Sequence, residues 1–310
     1  MAPELVVIGA LIIDKAIDHR HQNGELPGGA VLFSSLAAAI VGVKTGIVSV
    51  VGKDYPQSAL DAFVQHDIQL EGLHEINGPC CRCHIYEAGK LRYFKHPEGF
   101  PSFEDICPHI EHIPQPWLHA KGVHLAPVVN PHQIELMIYL RKHVQGTISV
   151  DPVEVVAQRD LPRFIKALSL ADYVIPSQAE FEVILDHENY HTALKKLVSN
   201  DTKYVILKRG INPMVLYNVE LKAFSTYKIH VSQNTVDTTG AGDSFCGAFH
   251  AAMLKFNNVN VAIKLGMTMS SFTVEDHSAR RLFALSSDEF YDRAKKLYPE
   301  IADFLDISLT

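Results

Sequence analysis

The chain has 310 residues, of which 47% are apolar, and a formal charge of −7. That length buries a sizeable core as one large α/β domain or two ordinary ones, and the acidic balance argues against non-specific nucleic-acid binding, which needs a basic surface. The five cysteines, Cys80, Cys81, Cys83, Cys107 and Cys246, form no even disulfide framework, so a reducing, cytoplasmic setting is expected.

The first apolar stretch, Leu5 to Ile13, is preceded by Glu4 and ended by Asp14, and reads as a buried first strand rather than a leader. Strands are expected at Leu5–Gly9, Thr45–Val51, Gly122–Leu125, Thr147–Val150, Tyr173–Ile175 and Tyr204–Leu207. Helices at Ala30–Val41, Gln57–Gln65, Pro131–His143, Leu161–Leu168, Gln178–Asp186 and Tyr190–Ser199 alternate with them, the pattern of a doubly wound, mostly parallel sheet with helices on both faces. No repeat or low-complexity linker divides the chain, so residues 1–310 are expected to form a single domain. No run of eighteen apolar residues occurs, and no transmembrane helix is expected.

One region breaks the alternation. Cys80 to His96 reads as two short strands joined at Glu87-Ala88-Gly89-Lys90, a β-hairpin inserted in the α/β pattern and a candidate lid over a ligand. Arg82, His84 and Tyr86 fall on one face and Cys81, Cys83 and Ile85 on the other. That alternation separates Cys80 from Cys81 and Cys83, and no second Cys-x-x-Cys pair exists, so packed thiols fit better than a zinc site. None of the seventeen histidines has His-Glu-x-x-His spacing.

The richest stretch is Asp237-Thr238-Thr239-Gly240-Ala241-Gly242-Asp243, which opens the small and apolar helix Ser244–Lys255. The first N–H groups of a helix lack intrahelical partners and carry the positive end of its dipole, so Gly240, Ala241 and Gly242 are a candidate anion hole. Asp243 stands at its mouth, where a carboxylate can accept the proton of an attacking hydroxyl. Read alone, Asp243 serves equally well as a helix cap.

Those seven residues, followed by an aromatic and Gly-Ala-Phe, closely resemble the C-terminal signature of the PfkB, or ribokinase, family of carbohydrate kinases. Pro27-Gly28-Gly29 before GGAVLFSSLAAAIVG, with Asp14 after the first strand, resembles its N-terminal motif. The resemblance implies a ribokinase-like fold with a β lid at about residues 80–96, ATP and Mg²⁺ as cofactors, and Asp243 as catalytic base. It makes Asp14, Gly28 and Gly29 substrate contacts. Phe33 stands where many sugar kinases of the family have asparagine, so it is either a substrate-facing ring or core. Ile175-Pro176-Ser177-Gln178-Ala179-Glu180 resembles the Asn-x-x-Glu motif, which gives Glu180 the Mg²⁺, through water, and puts Ser177 in the asparagine's place. Lys208 and Gly210, in Lys208-Arg209-Gly210 before the strand-like Met214–Tyr217, are nucleotide neighbours by the same resemblance; a solvated turn is the alternative. By the same resemblance the helix Val261–Val274 would line the adenine pocket together with the signature helix; the tail Ser287–Leu305 is expected to pack amphipathically. In some relatives the loop of Asp237 and Thr239 lies beside a monovalent cation such as K⁺.

The chain has no Gly-x4-Gly-Lys-Ser/Thr loop and no Gly-x-Gly-x-x-Gly after the first strand, which disfavours P-loop and dinucleotide enzymes. Gly242-Asp243-Ser244-Phe245 looks like a lipase nucleophile block, but it lies far from the N-terminus and has no late Asp-x-x-His. The expected activity is transfer of the γ-phosphoryl group of ATP to a hydroxyl of a sugar or related polyol. A nucleoside kinase of the same fold and a non-catalytic sugar- or nucleotide-binding regulator are the alternatives. Lid strands offer edges for a homodimer.

Overall fold

Short runs such as LVVI and TISV, apolar or small at every position, cannot keep one face in water, and they form the middle of a nine-stranded sheet. The computed structural model describes residues 2–17, 24–88, 91–128, 132–153, 160–185 and 189–309. Its strands are β1 (Leu5–Ile8), β2 (Ile12–Ile17), β3 (Leu26–Gly28), β4 (Thr45–Val51), β5 (Gln69–Glu75), β6 (Arg82–Ala88), β7 (Leu91–Lys95), β8 (Gly122–Leu125), β9 (Thr147–Val150), β10 (Tyr173–Val174), β11 (Tyr204–Leu207), β12 (Met214–Asn218) and β13 (Ala223–Tyr227). Its α-helices are α1 (Ala30–Ile40), α2 (Gln57–Gln65), α3 (His132–His143), α4 (Leu161–Leu168), α5 (Gln178–Leu185), α6 (Tyr190–Ala193), α7 (Ala241–Phe256), α8 (Val259–Thr273), α9 (Arg280–Phe283), α10 (Ser287–Leu297) and α11 (Ala302–Leu309).

The large sheet runs β13-β12-β11-β10-β9-β8-β1-β4-β5, parallel from β5 to β11 and antiparallel through β12 and β13. Leu5 pairs with Thr45 on one side and Gly122 on the other. Along β1, Leu5 and Val7 enter the core under α1, α7 and α8, whereas Val6 and Ile8 enter the core under α3, α4 and α5. The doubly wound reading therefore holds. Glycines set how closely the first layer packs: a Cβ on Gly247 of α7 would lie 2.0 Å from the Ser34 carbonyl oxygen of α1. One on Gly266 of α8 would lie 2.6 Å from the Phe245 ring.

The lid is larger than a hairpin. A second sheet, in the order β3-β2-β6-β7, pairs β2 parallel to β6, and β6 antiparallel to β7. Residues 89 and 90 of the expected turn lie outside the described residues. The run Leu5 to Ile13, read as one strand, is split between the sheets, because the chain turns at Gly9, where a Cβ would lie only 3.0 Å from the Ala126 Cβ. Cys81, Cys83 and Ile85 are buried with Ile12, Val50 and Ile106 in a small core of their own. All five cysteines are buried, and none is in a disulfide. Arg82, on the other face, anchors the lid: it binds Glu25 through Nε and Nη2 (3.0 Å each), Asp54 through Nη2 (2.7 Å) and the Cys80 carbonyl through Nη1 (3.1 Å).

Other elements depart locally. The expected helix Tyr190–Ser199 is one α turn followed by a 3₁₀ segment, Leu194–Leu197. Val261–Val274 begins earlier, at Val259, because the Asn258 side chain caps it through the Asn260 and Val261 N–H groups. Pro299 divides the tail into α10 and α11. Pro131 and Asp186, ends of two expected helices, lie outside the described residues. Among the described residues no helix is long and apolar enough to cross a membrane.

Candidate active site

The site is built where α1 and α7 both begin, above the carboxyl ends of the parallel strands, the place where open α/β sheets bind ligands. The loop into α7 is shaped by Asp237. Its Oδ1 accepts from the Thr239 N–H (2.9 Å) and hydroxyl (2.6 Å), its Oδ2 from the Ser278 N–H (3.4 Å), and its own N–H donates to the Val274 carbonyl at 3.3 Å. Gly240 then caps the helix with φ +76°, a left-handed conformation. A Cβ there would lie 2.2 Å from the ring of Phe33.

That contact places Phe33. It is 1% exposed and packs behind the glycine turn, within the core. Its neighbour Ser34 donates its hydroxyl to the Asp243 carbonyl at 2.9 Å. Two adjacent residues of α1 thus fix the first turn of α7. Asp243 is half-buried, while Ser244 to Met253 behind it are buried. Within the expected anion hole, Ala241 turns its N–H back to the Thr238 carbonyl at 3.3 Å, and Ser244 donates to the Gly240 carbonyl at 2.8 Å.

Asp14, on β2, lies against Gly28: a Cβ on Gly28 would fall 2.0 Å from Asp14 Oδ2. Gly29 has φ +96° and packs on the Ala10 carbonyl. The Tyr55 hydroxyl holds the Gly28 carbonyl at 3.2 Å, and the Ser278 hydroxyl donates to the Pro27 carbonyl. The structure therefore brings Asp14, Gly28 and Gly29 together, one turn of α1 away from Phe33 and Ser34.

On the other flank, Ser177 and Glu180 form a reciprocal cap of α5: the Ser177 N–H donates to Glu180 Oε2 (2.6 Å) and the Glu180 N–H to Ser177 Oγ (3.3 Å). Ser177 also bridges to Lys208. Burial, together with the Asp151 charge, pushes the Glu180 carboxyl up to about 8.

Lys208 is no solvated turn residue. Its side chain is 12% exposed, and Nζ donates to Asp151 Oδ2 at 2.5 Å. Burial opposes its charge, but the carboxylates around it, Asp151 foremost, hold it protonated above the ordinary lysine range. Gly210 is exposed at φ +59° and makes the turn that follows. Asp151 is the residue that sequence reasoning missed. Its signal was present: it is an aspartate leaving the expected strand Thr147–Val150 at its carboxyl end. Among the described residues no group of three or more His, Cys, Asp or Glu is arranged to hold a metal.

Comparisons with known proteins bear on the family and the fold. Residues 2–284 match the model of the pfkB family carbohydrate kinases. A cytidine kinase of Thermococcus kodakarensis is 28% identical over 272 residues, which cover 85% of this chain and 93% of that protein. An ATP-dependent 6-phosphofructokinase of Thermoanaerobacterium thermosaccharolyticum is 26% identical over 263 residues, 79% of this chain and 78% of that one. A solved structure described as a putative ribokinase II from E. coli in complex with ATP and Mg²⁺ shares the fold, with a TM-score of 0.77 and 18% identity over 95% of this chain and 99% of that one.

Proposed function

The chain belongs to the pfkB family of carbohydrate kinases, phosphotransferases that act on hydroxyl groups, and on that premise we propose that Asp243 is the base that activates a sugar hydroxyl. The observation that carries this is the first turn of α7, where a half-buried carboxylate sits beside helix N–H groups on an otherwise buried helix. Such a carboxylate can take the hydroxyl proton, while the N-terminal dipole of α7 and the Lys208 ammonium stabilise charge on the transferring group. Asp14 accepts from neighbouring hydroxyls of the acceptor, and the Gly28-Gly29 backbone brings the acceptor close. The β lid excludes water, which would otherwise compete as acceptor.

Bound Mg-ATP supplies the transferable phosphoryl group and neutralises its charge. Glu180 would hold Mg²⁺ through water, since the ion keeps several waters and needs few protein ligands; burial and the Asp151 charge raise the half-buried Glu180 carboxyl, so the cation would take the place of its proton. The acceptor is a free sugar or the ribose of a nucleoside. The nucleoside reading is favoured by the cytidine kinase relative, which this chain matches over 93% of its length.

The test is ADP release from Mg-ATP with purified protein and a panel of sugars, cyclitols and nucleosides. Turnover on one compound identifies the acceptor; silence across the panel with ATP still bound contradicts the kinase reading. Running the assay in K⁺ and in Na⁺ tests the loop of Asp237 and Thr239, where equal rates would count against a cation site. The outer strand β7 of the lid sheet offers an edge for pairing to a second copy. Sedimentation as a monomer would contradict such a dimer.

A further inference from the structure

Beneath the first turn of α7 lies a buried polar cluster that the signature motifs do not include. Asp151 follows β9, and its side chain is 3% exposed. Its Oδ2 accepts from Lys208 Nζ at 2.5 Å and from the Cys246 thiol at 3.4 Å, and Lys208 Nζ also reaches Cys246 Sγ at 3.5 Å. Asp151 is itself fixed, because the buried Gln133 amide of α3 donates to its carbonyl at 2.8 Å. Oδ1 is buried and has no hydrogen-bond partner among the described residues. A Cβ on Gly242 would lie 3.4 Å from Lys208 Nζ, so the ammonium directly flanks the second residue of the helix.

A buried carboxylate with one bare oxygen is an expensive way to hold a fold, and an apolar pair of similar volume would serve stability as well or better. A lysine stem is flexible, and left to itself the ammonium would divide its time among Glu180, Asp243 and solvent. We propose that Asp151 is a positioning residue: it pins the Lys208 ammonium under the Gly240–Asp243 turn, so that the charge is already in place when the phosphates of a nucleotide meet the helix N-terminus. This rests on the kinase reading above. Asp151 touches neither substrate nor nucleotide; it acts through Lys208, and the Cys246 thiol holds the same oxygen from the helix side.

The test is a double-mutant cycle of Asp151→Asn and Lys208→Met, read as the Kd for ADP alone by calorimetry and as kcat and acceptor KM, with thermal melts to verify folding. Asp151→Asn is expected to weaken ADP binding about tenfold, the usual scale for a misplaced charge-assisted hydrogen bond. It is expected to lower kcat and leave acceptor KM unmoved. In the Lys208→Met background the same substitution should change none of these. Effects that simply multiply, or an Asp151→Asn protein that binds ADP like the parent, overturn the inference. If Asp151→Asn does not fold, Asp151→Ser, which leaves room for water beside Lys208, carries the same expectation; if neither folds, Asp151 serves the fold and the inference fails. A parent that binds ADP but turns over no acceptor sinks the catalytic reading while the ADP cycle still decides the role of Asp151.

Discussion

The floor of the site and its lid are built on opposite plans. The floor is a continuous stack, α1 on α7 on α8, joined by glycines that leave no room for a side chain and by buried polar contacts such as Ser34 to Asp243. The lid gathers strands from three separated parts of the chain and carries a small core of its own, tied down by the multiple bonds of Arg82. On the proposed function, chemistry that tolerates no misplacement would sit on the closely packed layer, and acceptor enclosure would be left to the separable one. Substitutions in the floor should therefore reduce stability and turnover together, whereas substitutions in the lid should act mainly on the acceptor.

The largest effect is expected from Gly247→Ala. Its new Cβ would meet the Ser34 carbonyl at 2.0 Å, backbone against backbone, and overpacking of that kind should cost about 3 kcal/mol. Urea denaturation measures it; a midpoint equal to that of the parent would show that the two helices separate easily.

Next comes pH. Under the floor, Ser149 Oγ lies between His124 Nδ1 (2.8 Å) and His250 Nδ1 (2.7 Å), and His250 Nε2 meets Thr147 Oγ1 at 2.9 Å. Burial drives His250 from 6.5 down to about 3, and burial above all drives His124 down as well. Both rings are neutral in the folded protein and take up protons once unfolded. Their stabilisation is complete above the unfolded value of 6.5 and is lost as pH falls below it. His250 alone should cost about 2 kcal/mol by about pH 5, as read in urea midpoints across pH. Because the raised Glu180 carboxyl acts in the opposite direction over the same range, the His250 share is the difference between the parent and His250→Gln profiles, and profiles of the same shape would contradict the assignment.

The smallest stability effect is expected in the lid. Arg82→Met frees Glu25 and Asp54, both partly solvated, so the loss of stability should be about 1 kcal/mol. Acceptor KM should rise about tenfold while the Kd for ADP stays put. A change in kcat with KM constant would mean that the lid takes part in the chemistry.

This division also explains what could be read from the chain. The floor was legible because its central strands are short, mostly apolar and alternate with helices along the chain, and because the residues Asp237 to Asp243 are local in sequence. The lid was read only in part. Strand β2 hides in an apolar run that looks continuous with β1, its neighbour β3 is only three residues long, and its parallel partner β6 lies far along the sequence, so nothing local signals that pairing. The edge strands β5 (QLEGLHE) and β13 (AFSTY) were invisible for a different reason: neither is uniformly buried, and polar residues interrupt both. At the site, Phe33 and Lys208 each left two readings open, core or contact for the ring and ligand or solvent for the lysine. Tertiary packing put Phe33 in the core and paired Lys208 with an aspartate 57 positions away.

The central claim is that the rigid first turn of α7 carries the proton transfer through Asp243. The most direct measurement is kcat of Asp243→Asn beside its Kd for ADP, on whichever acceptor the parent turns over. The account predicts a kcat lower by about two to four orders of magnitude, roughly 3–5 kcal/mol of barrier, with ADP affinity and melting temperature close to those of the parent. Turnover within a few-fold of the parent would contradict it.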